Sequence, residues 1–145
     1  MNQTKDAMMT RLVDVYAAKG AAMFLYELLL ERNPDQNISH KVVPTYAAHL
    51  AFVDSHPYES WEIIESGDDG FVGSIYVTDR NEIGVFVLKK HQSKGYGSWA
   101  VREIMRHSEQ GTRLLANINP KNRASAAMFE KLGFKLIQHT YAIEV

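Results

Sequence analysis

Two glycines between a strand-like run and a helix-like pattern constrain this 145-residue chain more than any other feature. Gly95 and Gly97 follow the β-branched run 82–88 and precede an amphipathic pattern that extends to about residue 109. Glycine lets the backbone turn tightly, so successive N–H groups converge on one point. A helix that begins there adds unpaired N–H groups and the positive end of its dipole. The segment from 92 to 98, here called the glycine loop, therefore predicts a site for an anion such as a pyrophosphate.

Two common phosphate-binding patterns fit the glycine loop poorly. A Walker A loop needs G-x-x-x-x-G-K-[ST], and no Lys-Ser or Lys-Thr pair follows a glycine here. The run from Gly95 to Ala100 does match the relaxed dinucleotide fingerprint G-x-G-x-x-G/A. That fold expects the motif after the first strand of a parallel sheet, with an acidic residue after the next strand. Here several antiparallel-looking strands precede the loop, and the next strand ends in Asn117-Ile118-Asn119.

The remaining hydrophobic pattern predicts one mixed α/β domain that covers residues 1–145. We expect strands at 11–16, 60–65, 71–78, 82–88 and 113–118, and helices at 21–32, 44–54, 97–109 and 122–132. A last strand or tight hairpin is expected from 134 to 145. Turn residues between the middle strands indicate an antiparallel meander, and the later helices indicate β-α-β crossovers.

Composition narrows the class of protein. The chain has no cysteine, which excludes disulfides, thiolate zinc sites and a cysteine nucleophile. Its formal net charge of −1 argues against a dedicated nucleic-acid binder. Charged residues interrupt the N-terminal segment as early as Lys5 and Asp6, so no signal peptide is predicted. The longest charge-free apolar run, 20–26, is too short to span a bilayer, and we expect a cytoplasmic protein without membrane contact.

Three motifs together resemble those of the Gcn5-related N-acetyltransferase (GNAT) superfamily. Gln92-x-x-Gly95-x-Gly97 resembles the Q/R-x-x-G-x-G/A loop with which that family holds the pyrophosphate of acetyl-CoA. The run 82–88 resembles its central strand, 117–125 its Asn-rich strand-to-helix segment, and 129–134 its Y-x-x-x-G-F ending. The motifs follow one another in the family's order over nearly the whole chain. The resemblance implies a GNAT-like acyl-CoA N-acyltransferase fold with an antiparallel first half.

The resemblance also implies a binding site for acetyl-CoA. In such folds the central strand splays from its neighbour, so backbone groups of Phe86, Val87 and Leu88 would pair with the pantetheine amides. The pyrophosphate would be held by the glycine loop, which comprises Gln92, Ser93, Lys94, Gly95, Tyr96, Gly97 and Ser98. Asn119 and Asn122 would bind the pantetheine arm or order a water near it. Asn122 also suits a helix N-cap, and the two roles stay open.

The implied reaction is direct attack of a neutral amine on the acetyl thioester in a ternary complex. An aliphatic amine has a pKa of roughly 10, so a base must remove its proton. Glu82 is the candidate base, directly or through a water, although a strand-end carboxylate facing solvent is the alternative interpretation. The backbone N–H of Val87 is predicted to stabilise the oxyanion.

One residue departs from the family pattern. Many members have a Tyr at the position of Phe129, where its hydroxyl protonates the leaving thiolate; Phe129 has no such proton. Tyr141, Tyr96 or water could take that role, and both tyrosines also suit packing positions. The second functional hypothesis is therefore a CoA-binding module of the same fold without catalysis.

The other expectations concern metal and acceptor. Six histidines show no H-x-H or H-E-x-x-H spacing, so no metal site is predicted. The segment from Asn33 to Lys41 would form the acceptor side of the cleft, and its mixed polar content fits a small-molecule amine or a peptide amine equally. Lys89, Lys90, Lys94 and Arg102 place positive charge near the loop. A homodimer is compatible with the sequence.

Overall fold

The computed structural model describes residues 9–32 and 43–145, so the predicted acceptor segment 33–41 lies outside the described residues. The strands are β1 (Thr10–Asp14), β2 (Ser60–Ser66), β3 (Gly70–Val77), β4 (Glu82–Val87) and β5 (Leu115–Ala116). The α-helices are α1 (Ala21–Glu31), α2 (Tyr46–Asp54), α3 (Tyr96–His107) and α4 (Arg123–Lys131), with a 3₁₀ turn at Lys89–His91.

The five strands form one mixed sheet in the order β1-β2-β3-β4-β5. Neighbouring strands from β1 to β4 are antiparallel, and β5 lies parallel to β4. A parallel pair needs a crossover connection, which α3 provides. The predicted mixed α/β class, with an antiparallel first half and a crossover after it, is confirmed.

Helices cover both faces of the sheet. On one face α1 and α2 contribute to a core that includes Phe24, Leu28 and Trp61. On the other face α3 and α4 contribute to a core that includes Ile75 and Val101. The consecutive residues Ile63 and Ile64 are both fully buried, each in a different core. Successive side chains of a strand face opposite sides of the sheet, so the adjacent pair in β2 (SWEIIES) contributes one residue to each core.

The predicted strand or hairpin at 134–145 is wrong, because the structure assigns no strand there. This stretch leaves apolar side chains in solvent, with Leu136 74% and Ile143 86% exposed. An apolar run becomes a strand only when a neighbour supplies ladder hydrogen bonds, and β5 is too short to supply many. The predicted strand at 113–118 is two residues long, Leu115–Ala116, because it pairs with β4 only at Glu82 and Ile83.

Helix α2 also begins later than the sequence predicts. Thr45 is its N-cap, because the Thr45 hydroxyl accepts a 3.1 Å hydrogen bond from the Ala48 N–H. Pro44 therefore precedes the helix instead of occupying its first turn. Within the two described ranges, none of the helices has the length and apolarity needed to cross a membrane.

Candidate active site

Within residues 9–32 and 43–145, no strand pairs with one edge of β4 along most of its length. Strand β5 pairs only with the first two residues of β4, Glu82 opposite Leu115 and Ile83 opposite Ala116. Strand β3, on the other side, pairs with β4 as far as Val87. The β5-facing edge of residues 84–87 is called the open edge below.

The hydrogen bonds between β3 and β4 determine which backbone groups face the open edge. The Leu88 N–H donates to the Val72 carbonyl at 2.9 Å. Because ladder bonds alternate along an antiparallel strand, Phe86 also points its backbone groups toward β3. Val85 and Val87 therefore direct their N–H and C=O groups toward the open edge. Of the three predicted pantetheine contacts, Val87 is the one that lies in this orientation.

Sequence reasoning missed Val85 and included Leu88. The Leu88 carbonyl accepts a hydrogen bond from the His91 N–H at 2.9 Å, so both of its backbone groups are engaged within the chain. The strand's register decides this alternation, and the sequence of β4 alone does not reveal it. Gln92 lies at the end of the open edge, where its side-chain amide donates to the Val87 carbonyl at 3.1 Å.

The glycine loop turns through two residues with positive φ, Ser93 at 65° and Gly95 at 86°. Gly95 is the N-cap of α3 and has no side chain to bond the first-turn N–H groups. The Gly95 carbonyl accepts from the Trp99 N–H at 3.0 Å, so the helix hydrogen bonding begins there. The N–H groups of Gly97 and Ser98 precede that bond and have no acceptor within the helix.

Gly95 and Ser98 border a groove of about 770 Å³ between the glycine loop and α4. It is lined by Ser93, Gly95, Ser98, Ala124, Ala127, Met128, Glu130 and Lys131. A Cβ atom on Gly97 would lie 3.3 Å from the Met128 sulfur, so the missing side chain allows α3 and α4 to approach closely. The groove is open to solvent and begins at the N-terminus of α3, where the helix dipole favours an anion.

A polar network fixes the glycine loop to the turn between β2 and β3. The buried Tyr96 lies with its hydroxyl 2.7 Å from Asp69 Oδ2, to which it donates, and 3.0 Å from Ser66 Oγ. Lys94 Nζ lies 3.3 Å from the same Asp69 oxygen and 3.1 Å from His91 Nδ1. The Tyr96 hydrogen bond, with the Lys94 ammonium as a smaller cause, lowers the pKa of Asp69. Lys94 thus braces the loop through its side chain.

The predicted base Glu82 is held at the start of β4 by two side chains. Its Oε1 accepts from the Thr78 hydroxyl at 3.2 Å, and its Oε2 accepts from the side-chain amide of Asn117. Extended-strand spacing places Glu82 about 17 Å from Val87 and about 10 Å from Val85. At that spacing Glu82 and Val87 would act together on one carbonyl only through intervening water, and both roles stay predictions. The supporting residues Thr78 and Asn117 were not predicted.

The two predicted asparagines both lie at the start of α4. Asn122 is the N-cap, and its Oδ1 accepts from the Ser125 N–H at 3.2 Å. Asn119 Oδ1 accepts from the Lys121 N–H at 3.0 Å. The cap role of Asn122 is thus observed, while its role as a ligand stays a prediction.

Three aromatic residues bear on how a leaving thiolate would be protonated. Phe129 is 5% exposed and packs edge-to-face on Phe134, with ring centroids 5.0 Å apart. The Tyr96 hydroxyl is engaged with Asp69, and Tyr141 is 91% exposed in the C-terminal stretch that has no strand. Among these three aromatic residues, the structure therefore singles out none for the protonation of a thiolate.

Three residues missed by sequence reasoning line the α1 face of β4. Tyr58 and Tyr76 stack with centroids 3.9 Å apart and planes 8° apart. The Tyr76 ring lies directly over Gly84, where an added Cβ atom would overlap it. Arg32 places its guanidinium 3.6 Å from the centroid of the Phe86 ring. Gly84 was the available signal, because glycine inside a strand marks the close approach of another group.

Comparison with known proteins identifies the family. The sequence profile of the family described as FR47-like protein matches residues 63–143, which is more than half of the chain. This chain belongs to the FR47-like family. The family is related to the GNAT superfamily, so the resemblance drawn from the motifs is confirmed. No functionally curated protein matches the FR47-like chain.

Solved structures share the fold of this FR47-like protein at low sequence identity. A domain from Methanocaldococcus jannaschii is 21% identical, with a TM-score of 0.77 over 90% of this chain and 91% of the other. The spermidine N-acetyltransferase of Vibrio cholerae in complex with CoA and spermine is 15% identical, with a TM-score of 0.75 over 91% and 84%. Mutant forms of the spermidine/spermine N-acetyltransferase SpeG from Vibrio cholerae give a TM-score of 0.71 at 15% identity, over 91% and 83%.

Proposed function

We propose that this FR47-like protein transfers the acetyl group of acetyl-CoA to a primary amine of a small molecule or a peptide. The amine attacks the thioester directly in a ternary complex. The observation that carries the proposal is the open edge of β4, which leads into the glycine loop and the N-terminus of α3. One strand thus offers backbone groups for amides and, at its end, N–H groups for a pyrophosphate.

The direction of β4 determines how acetyl-CoA would lie. Because the glycine loop follows the carboxyl end of β4, a pantetheine arm anchored at the loop runs back toward Glu82. Val87 would then pair with a pantetheine amide, and Val85, farther from the loop, would donate its N–H to the oxyanion. This assignment moves the oxyanion role from Val87, the sequence-based choice, to Val85. The CoA complex of the Vibrio cholerae enzyme with the same fold supports CoA as the donor.

Glu82 is proposed as the base that removes the amine proton. The hydrogen bonds from Thr78 and Asn117 orient its carboxylate. Since it lies about 10 Å from Val85 along the strand, the proton would reach it through water. A cytoplasmic location also belongs to the proposal, because acetyl-CoA and free amines are both available there.

A CoA-binding module without catalysis is the second candidate, and Phe129 is the observation that favours it. Phe129 packs on Phe134 and supplies no proton to a thiolate. Calorimetry with CoA, followed by a thiol-release assay with acetyl-CoA and a panel of amines, separates the candidates. Amine-dependent thiol release supports the enzyme. CoA binding with hydrolysis-level release for every amine supports the module, and absence of CoA binding contradicts both.

A further inference from the structure

Arg32 occupies an unusual position on the proposed acceptor side. It follows α1 directly, and its guanidinium lies 3.6 Å from the centroid of the Phe86 ring. Phe86 stands between Val85 and Val87, the two residues whose backbone groups face the open edge. Arg32 therefore contacts the side chain of the residue that lies between the two proposed CoA-binding positions.

The guanidinium has no counter-ion among residues 9–32 and 43–145. No described Asp or Glu oxygen lies within ion-pair distance of it, and its Nε is buried without a hydrogen-bond partner in those ranges. The neighbouring Glu31 carboxylate instead accepts a 2.9 Å hydrogen bond from the Lys89 N–H. The Phe86 ring contacts the guanidinium but supplies no hydrogen-bond acceptor, and a buried N–H without an acceptor is costly, so a ligand that brings an anionic acceptor would be stabilised here.

The titratable groups near Arg32 are two phenols and the imidazole of His49, whose pKa is lowered by burial and, as a smaller cause, by the Arg32 charge. Burial raises the pKa of Tyr58 and of Tyr76, so both keep their protons at neutral pH. Burial also lowers the pKa of Arg32, yet a guanidinium remains charged in proteins. The surroundings of Arg32 thus combine one forked cation with two hydroxyl groups and favour an anion that accepts several hydrogen bonds.

The Phe86 side of β4 is the proposed approach for the acceptor. Val85 and Val87 pack with the core formed by α3 and α4, whereas Phe86 packs with the α1 core. An amine that reaches Val85 from the Phe86 side passes Arg32, because the guanidinium lies on the Phe86 ring.

We propose that Arg32 binds a carboxylate of the acceptor, so that the acceptor is an amine that also carries a carboxylate, such as an amino acid. The planar carboxylate matches the two parallel N–H bonds of a guanidinium fork. A polyamine would bring further positive charge next to Arg32 and is disfavoured. This inference rests on the proposed acetyl transfer and narrows its substrate class.

Matched acceptors test the inference. Thiol release is measured for the twenty amino acids, their carboxamides, the corresponding decarboxylated amines, and spermidine. We expect the amino acids to exceed their amides in kcat/KM by roughly tenfold or more. Equal rates for acids and amides, or preference for spermidine, would overturn the inference and leave the acetyltransferase intact.

Variants at Arg32 separate charge recognition from packing. Arg32→Met keeps an apolar stem over Phe86, and we expect it to raise KM for the amino acid roughly ten- to hundredfold with little change for the amide. Arg32→Lys keeps the positive charge but lacks the forked N–H groups, so its KM for the amino acid should lie between that of the unsubstituted protein and that of Arg32→Met. Equal losses for acid and amide would assign Arg32 a packing role and contradict the proposal. Thermal melts and the Kd for CoA check that both variants are folded.

Failure of the proposed function is distinguishable from failure of the inference. If no amine gives thiol release, the amino-acid panel is titrated into CoA-saturated protein by calorimetry. If amino acids bind to the original protein and not to Arg32→Met, the proposal that Arg32 binds a carboxylate stands and the proposed acetyl transfer is rejected. Absence of any binding rejects both.

Discussion

The Tyr96 hydroxyl donates a 2.7 Å hydrogen bond to Oδ2 of Asp69, and this contact joins the first residue of α3 to the turn between β2 and β3. The two residues are 27 positions apart in sequence. The conformation of the proposed anion site thus depends in part on Asp69, which lies outside the glycine loop.

Tyr96→Phe should weaken CoA binding and lower stability in a pH-dependent way. The pKa of Asp69 is lowered chiefly by the Tyr96 hydrogen bond, so the associated stabilisation is present above the ordinary pKa of 3.8 and is lost as pH falls below it. Melting temperatures of both proteins between pH 7 and 3 should therefore converge at the acidic end. A difference in Tm that stays constant with pH would contradict this account.

Gly95 tests the backbone conformation of the glycine loop. A Cβ atom would meet nothing within 4 Å there, but φ is +86°. Gly95→Ala should therefore cost about 1–2 kcal/mol through backbone strain alone and weaken CoA binding. Gly95→Asn is the matched control, because Asn tolerates the left-handed region. Equal effects of both substitutions on the Kd for CoA would mean that φ is not the cause.

Asn122 allows its two predicted roles to be separated. Asn122→Ala should lower stability by about 1 kcal/mol, because the Ser125 N–H loses its acceptor. Asn122→Ser keeps a capping oxygen and removes the side-chain amide. If Ser restores stability in chemical denaturation while CoA affinity stays reduced, Asn122 is also a ligand. Full recovery of affinity with Ser would leave the cap as its role.

Gly84 is expected to tolerate no side chain while Tyr76 lies over it. A Cβ atom added at Gly84 would overlap the Tyr76 ring far inside van der Waals distance, so Gly84→Ala should cost about 1–3 kcal/mol. The same substitution in a Tyr76→Ala background should cost less. The free energies of unfolding of the four proteins in this double-mutant cycle provide the measurement. Additive losses would show that the ring is not the obstacle.

Glu82→Gln tests the proposed base. We expect kcat to fall by roughly 10²- to 10⁴-fold and the acidic limb of the pH–rate profile to disappear, with the Kd for CoA unchanged. Asn117→Ala removes one of the groups that orient Glu82, and it should lower kcat while keeping that acidic limb. An unchanged pH–rate profile in Glu82→Gln would remove Glu82 from the mechanism.

The glycine loop is an example of structure that the local sequence predicts. Gly95 caps α3 and Gly97 lies in its first turn, close to where their spacing predicts, because a tight turn before a helix is a local property of the backbone. Gly133 likewise ends α4 with a φ of 97°, and the Phe134 N–H donates to the Phe129 carbonyl at 3.0 Å. The prediction of a C-terminal strand was wrong because a strand needs a partner that the local pattern does not reveal.

The sequence by itself determined the family, the order of the elements and the position of the glycine loop, since these depend on neighbours along the chain. The tertiary structure decided which residues lie around the open edge and the glycine loop. The register of β3 on β4 selected Val85 and Val87 for the open edge, and packing across the sheet placed Arg32 on Phe86 and Asp69 beside Tyr96. These are contacts between distant segments, and the energy of each depends on burial and orientation that exist only after the chain has folded.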